Sequence, residues 1–371
     1  MMKNRISVGF PRMHKELGEK RAFLPDFIQM LTRFADVYLS EGYGSRLGYT
    51  FSDFRLGNPR VFQAEQNDVF QKDYVIVLRS PNNDDFKRLK KGCCLVSMLH
   101  YSTRPQRVEI LNELGINSIS LDCIVDDHNL RLVENMRAVA WNGLEVAFDL
   151  LETLYPGLQR DNGRPFQVLI LGSGMIGKHA VEAATKLGNI ERNTRQIEFN
   201  GLGSIAFSVG RNLTHNRLVM EDLLQQTDVL VDATQRRNPS LPVIPNAWLA
   251  CLPPNAIIAD LAVDPYLLDH EPPVVRGIEG IPQGNLDKYV FMPSDPEWDS
   301  SVPATVPSEH RRTTVSCYSW PGIHPETCMV HYARQMTPLI EELLTKGYNG
   351  LSLEGGYFER ALYRARLPEP E

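Results

Sequence analysis

The stretch LILGSGMIGKHAVEAATKLGN, Leu169 to Asn189, constrains what this 371-residue chain can fold into more than any other. An apolar run enters a turn with glycines at 172, 174 and 177 and leaves it through helix formers. That pattern predicts a strand over Val168 to Leu171, a tight turn, and a helix over Lys178 to Leu187. Each glycine has its own task at this spacing: Gly172 makes the turn, Gly174 lets backbone approach a phosphate, and Gly177 lets the helix pack on its strand. The helix start offers unpaired N–H groups and a positive dipole end. Gly172, Ser173, Gly174, Met175, Ile176 and Gly177 are therefore read as the cradle of a dinucleotide pyrophosphate, with Lys178 adding charge nearby. The alternative is a strand-to-helix junction that packs and holds no ligand.

An acid that accepts from a ribose diol is expected about 20 residues after such a turn. Here a polar interruption, Glu191 to Asn200, comes first, and the next strand, within Ser204 to Thr214, ends in Gly210, Arg211 and Asn212. A glycine beside an arginine leaves room and positive charge for a 2′-phosphate. The expected cofactor is NADP(H), with NAD(H) still possible. Ala233 and Thr234, after the strand Val229 to Val231, are expected to line its edge.

Strands and helices alternate on both sides of the turn. RISVGF, DVYLSEG, DYVIVLRSP, CCLVSMLHYS and INSISLDCIV read as strands before it, and SIAFSVG, TDVLVDAT and NAIIADLAVD after it. The expected fold class is α/β, with two Rossmann-like doubly wound domains and a cleft between them. Residues 1–136 and 314–371 are assigned to a substrate domain and 137–313 to a nucleotide-binding domain, with the helix Arg137 to Leu154 as the crossing. Pro265 to Pro307 reads as an irregular excursion or a lid.

Three polar residues fall where parallel sheets place ligands. Arg21 follows a strand and a loop, Arg79 ends VIVLR, and His100 ends LVSMLH. A net charge of −6 and the absence of basic runs interleaved with aromatics give no case for nucleic acid. The six cysteines show no metal-ligand spacing, so no metal is expected. The N-terminal MMKNRISVGF lacks the apolar core of an export signal, and no window reaches membrane-span length. The expectation is a cytoplasmic protein with small-molecule substrates and no membrane partner.

Taken in order, these segments resemble the alanine dehydrogenase and pyridine nucleotide transhydrogenase family. GFP and EKRAFLP resemble its opening Gly-Ile-Pro and Glu-x-Arg-Val-Ala-x-x-Pro segments, with one extra residue between them. FADVYLSEGYGS resembles its Gly-His-Glu-Val and Ala-Gly-x-Gly segments. SMLH matches a Phe-x-x-Leu-His strand, ADLAVD a Val-Asp-Ile-Ala-x-Asp strand, and SWPGIHPET an Asn-Met-Pro run. The resemblance implies that Arg21 grips a substrate carboxylate, that His100 exchanges a proton, and that Asp264 faces the cleft, orienting water or the substrate amine. Read alone, Asp264 serves equally as a helix cap before Pro265. The resemblance also implies a homo-oligomer.

Two departures stand out. The family's active-site lysine is Arg79 here, which cannot become neutral and so cannot be a base; a second carboxylate on the substrate is a role left to it. Ser319 replaces the asparagine of the Asn-Met-Pro run. Saccharopine dehydrogenases and carboxyethyl-ornithine synthase share this architecture and reduce imines bearing two or more carboxylates. The expected activity is thus an NADP(H)-dependent oxidoreductase acting on the C–N bond of an amino acid or opine-like secondary amine. The alternative is a transhydrogenase-like or redox-sensing nucleotide-binding module without amino-acid turnover.

Overall fold

The computed structural model describes residues 5–13, 15–160 and 162–369. The first four residues, part of the stretch read above for an export signal, lie outside them. The chain forms two units, Met1–Asn135 with Pro325–Glu371, and Met136–His324. The chain leaves the second unit later than position 314, because Thr313–Ser316 is a strand of the second sheet.

In the first unit, β1 (Ser7–Phe10), β2 (Asp36–Ser40), β3 (Val61–Ala64), β4 (Tyr74–Arg79), β5 (Cys94–Met98) and β6 (Asn117–Ser120) form a parallel sheet in the order β3-β2-β1-β4-β5-β6. The succession of strands reverses between β1 and β4, which opens a crevice at their carboxyl ends. Strand β4 shows why this sheet is covered on both faces. Tyr74, Ile76 and Leu78 pack into one apolar cluster and Val75 and Val77 into another. A strand buried on both faces reads as a continuous apolar run, as YVIVL does. Helix Pro325–Lys346 contributes Met329, Met336, Leu339, Ile340 and Leu343 to the first cluster.

In the second unit, β7 (Phe166–Leu171), β8 (Ser204–Val209), β9 (Val229–Asp232), β10 (Ile257–Asp260), β11 (Val290–Phe291) and β12 (Thr313–Ser316) take the order β11-β12-β10-β9-β7-β8, parallel apart from β11. The reversal here falls between β7 and β9. Val168 and Ile170 face one cluster and Leu169 and Leu171 the other, so the apolar run before the glycines again has two buried faces. Helix Met136–Leu154 packs Ala140, Leu144, Ala147, Phe148 and Leu151 against the first of these.

The structure corrects the sequence reading at Glu191–Asn200 and at Asp264, and shows what anchors the Pro265–Pro307 excursion. The polar interruption is a helix, Ile190–Glu198, capped by Asn189, whose side chain accepts from the backbone N–H groups of Glu191 and Arg192. It is anchored by polar rather than apolar side chains: Arg192 is buried and donates to Asp149, Glu152 and the Leu187 carbonyl, while Ile197 is exposed. No helix begins at Pro265, so Asp264 is not a cap. The Pro265–Pro307 excursion is tied down, since buried Arg276 pairs with Asp260 at the end of β10 and donates to Ser316 Oγ at 3.0 Å. Trp298 adds a small core with Phe291 and Val302.

Candidate active site

The crevice between β1 and β4 holds two of the arginines singled out in the sequence. From β1 the chain passes through Pro11 into a turn at Glu16–Glu19, held by Arg46 Nη1, which donates at 3.0 Å to the carbonyls of Glu16, Leu17 and Glu19. This turn points two carboxylates at the end of β4. Arg79 Nη1 lies 2.7 Å from Glu16 Oε2 and 2.7 Å from Glu19 Oε2, and its Nη2 lies 3.2 Å from Glu16 Oε1. Arg21 Nη2 donates to Glu19 Oε1 at 2.9 Å. Glu16 and Glu19 are buried. Burial works to raise the Glu19 pKa, but the charges of Arg21 and Arg79 and the Lys15 backbone N–H hold it below its ordinary value. Arg79 therefore does not stand open for a second carboxylate, contrary to the sequence expectation; two internal carboxylates take up its fork.

Arg21 differs. Its side chain is only 8% exposed, and its Nε is buried with no hydrogen-bond partner among the described residues. It shares the pocket wall with Met13, Phe23, Ile76 and Leu78, a setting in which an unmatched donor favours an anionic ligand.

On the neighbouring strand end, His100 sits two residues past β5 at φ 55°, a left-handed conformation that a non-glycine residue adopts at some cost. Three contacts fix it there. Its backbone N–H donates to Asp122 Oδ1 at 3.1 Å, Leu99 N donates to Ser120 Oγ at 3.1 Å, and Arg107 Nη1 donates to the Leu99 carbonyl at 3.0 Å. The imidazole Nδ1 lies 3.2 Å from Asp122 Oδ2, and the ring is half exposed. Burial acts to raise the Asp122 pKa, but hydrogen bonds and charge from His100, with Ser120 Oγ at 2.8 Å, hold it far below the ordinary carboxylate value. An anionic Asp122 at Nδ1 orients the ring and leaves Nε2 as the nitrogen chemically able to exchange a proton. Sequence reasoning missed Asp122, Glu16 and Glu19; the signal for Asp122 was an acid directly after a strand end, in SISLD.

In the second unit the glycines divide their tasks. Gly172 has φ 103°, and a Cβ there would lie 2.6 Å from the Ala233 carbonyl oxygen. A Cβ on Gly177 would lie 2.1 Å from the Gly172 carbonyl oxygen, so both positions require glycine for packing. At Gly174 a Cβ meets nothing within 4 Å. The structure there is open at the start of helix Met175–Ala184, as a pyrophosphate resting on backbone N–H groups needs. Ser173 and Met175 are exposed and Ile176 packs inward.

Ala233 and Thr234 lie beside this turn, as their approach to Gly172 shows. Buried Asp232 fixes them, accepting from Thr234 N at 3.0 Å and Thr234 Oγ1 at 2.7 Å. Gly210 caps the short helix Arg211–Thr214 at the end of β8, next to β7, and no acid occupies that strand end. Arg211 and Asn212 are exposed, and Arg211 Nη2 donates to the Gln235 carbonyl at 2.7 Å. Asp264 is engaged by Arg236, whose Nη2 donates to Oδ2 at 2.6 Å. Among the described residues no helix is long and apolar enough to cross a membrane, and no cluster of three His, Cys, Asp or Glu is placed to hold a metal.

Two doubly wound sheets, one opening on a glycine turn of this geometry, define a Rossmann-type protein of two domains. The family profile described as "Alanine dehydrogenase/PNT, N-terminal domain" matches residues 11–140. The alanine dehydrogenase of Bacillus subtilis is 21% identical over 274 residues, covering 69% of this chain and 70% of that one. The NAD(P) transhydrogenase subunit alpha of Haemophilus influenzae is 20% identical over 285 residues, covering 69% of this chain and 55% of that one. A solved L-alanine dehydrogenase shares the fold with a TM-score of 0.71 at 18% identity, over 97% of this chain and 94% of that one. Residues 11–140 thus match the N-terminal domain of this family, and over 69% of its length the chain is similar to an alanine dehydrogenase and to a transhydrogenase subunit.

Proposed function

We propose that the protein is a nicotinamide-dependent oxidoreductase acting on the C–N bond of an amino acid or an amino-acid-derived secondary amine. One observation carries this reading: Arg21, a buried arginine with an unmatched donor, shares Glu19 with Arg79 at the end of β4, and the neighbouring β5 leads to an imidazole oriented by an anionic carboxylate. Arg21 binds the substrate carboxylate through charge-assisted hydrogen bonds. His100 Nε2 takes or gives the proton as the C–N bond is oxidised or reduced, with Asp122 supporting the charged ring. The cofactor is held by Gly172 to Gly177, with Ala233 and Thr234 at its edge, and supplies the hydride when bound. The glycine at the end of β8 and Arg211 beside it support NADP(H) over NAD(H). Asp264 is kept as a candidate for orienting the substrate amine or water, through the position of its Arg236-bound carboxylate.

The similarity to a transhydrogenase subunit favours one second reading, a nucleotide-binding module without amino-acid turnover. A screen of 2-oxo acids with ammonium or primary amines, following NADPH and NADH consumption, separates the two. Turnover with any pair supports the enzyme; cofactor binding with no turnover across the panel supports the module.

A further inference from the structure

We infer that Glu16 and Glu19 set the substrate class of the Arg21 site, by taking up Arg79 so that only one carboxylate grip remains. The inference rests on the proposed amino-acid chemistry and narrows it to substrates with a single carboxylate.

The crevice brings together two guanidinium groups, and a pair of them would suit a substrate with two acid groups. The turn after β1 prevents that use. Arg79 meets both glutamates through three contacts of 2.7, 2.7 and 3.2 Å, and both partners are buried. The turn that presents them is locked by three bonds from Arg46 and by the Lys15 N–H, which donates to Glu19 Oε2 at 2.9 Å. A second substrate carboxylate would have to displace an anion already held by its own backbone, and would meet the charge of the glutamate it displaced. Building like charge against the wrong ligand is a recognised route to specificity.

Arg21, by contrast, gives Glu19 one hydrogen bond and keeps a buried Nε without a partner. One guanidinium is taken up by two carboxylates, and the other keeps an unmatched donor.

The test compares two ligands of equal length that differ in one acid group, 2-oxopentanoate and 2-oxoglutarate, titrated by calorimetry into the whole protein saturated with reduced cofactor. The wild type is expected to bind 2-oxopentanoate at least about tenfold more tightly. Glu16→Gln, which weakens the hold on Arg79 without touching Arg21, is expected to cut that preference at least about fivefold, through tighter 2-oxoglutarate binding alone. Glu16→Asp, which shortens the reach and keeps the charge, should move the ratio the same way by less, and serves if the glutamine variant does not fold. Equal or tighter binding of 2-oxoglutarate to the wild type overturns the inference while leaving the amino-acid reading intact. So does a Glu16→Gln ratio that does not change. If neither acid binds the loaded protein, the functional reading itself fails and this inference falls with it.

Discussion

The two sheets reverse their strand succession at equivalent points, between β1 and β4 and between β7 and β9, yet the crevices are built from opposite materials. At the first, side chains supply the polar groups: Arg21, Arg79, Glu16 and Glu19 crowd charge into the crevice, with His100 and Asp122 at the strand ends beyond. At the second, side chains are withdrawn. Gly172 and Gly177 close the packing between turn, strand and helix, and Gly174 leaves backbone exposed. On the proposed function, a small acid must be told apart from its neighbours, which takes placed charges. A pyrophosphate is common to every dinucleotide and is met by N–H groups and a helix dipole. One topology therefore supports both a selective and a generic crevice, and the residue types at the strand ends decide which.

If that division is right, substitutions at the two crevices should separate. The largest effect is expected at Gly177→Ala, where the new Cβ has no space; a stability loss of about 3 kcal/mol, read as a fall in Tm, follows from overpacking. Gly174→Ala should leave Tm nearly unchanged and weaken cofactor affinity by about tenfold, because its Cβ points where the pyrophosphate would rest. A large Tm loss at Gly174, or none at Gly177, would undo the assignment of tasks within the turn.

Acid stability tests the first crevice. Asp122 has a folded pKa held below its unfolded value, so its stabilising contribution is complete above the ordinary carboxylate pKa of about 4 and is lost as pH falls through the lower folded value. Asp122→Asn should flatten the decline of Tm below about pH 4. An unchanged acid limb would mean that the His100 contact does not hold the carboxylate ionised. The smallest effect is expected at Arg211→Ala: because the side chain is exposed and screened, NADPH affinity should fall by only about three- to tenfold, with NADH affinity unchanged. Equal losses for both cofactors would remove the 2′-phosphate role.

The sequence made the frame of both crevices legible for a definite reason. A strand buried on two faces must be apolar throughout, so β4, β5, β7, β9 and β10 stand out, and polar residues at their ends are conspicuous, as with Arg79 and His100. The glycine turn was legible because each glycine answers a separate steric demand. What stayed hidden were partners whose meaning depends on a neighbour distant in the chain. Asp122 matters because β6 lies beside β5, and Glu16 because the turn after β1 meets the end of β4 across 63 residues of sequence. Without Glu16 and Glu19, Arg79 looked like an open cation. The helix at Ile190–Glu198 escaped because its apolar face is outward and its buried anchors are Arg192 and Gln196, the reverse of the pattern by which an amphipathic helix is read. Strand β3 escaped because it lies at a sheet edge with Phe62 and Gln63 exposed.

The most direct test of the division between the crevices is a paired measurement on wild type and His100→Ala: NADPH affinity by nicotinamide fluorescence, and NADPH consumption with a one-carboxylate 2-oxo acid and ammonium. The expected result is unchanged NADPH affinity with turnover reduced by about 10²–10⁴-fold, the usual contribution of a positioned acid–base group. Turnover that survives the substitution, or affinity that falls with it, would contradict the account.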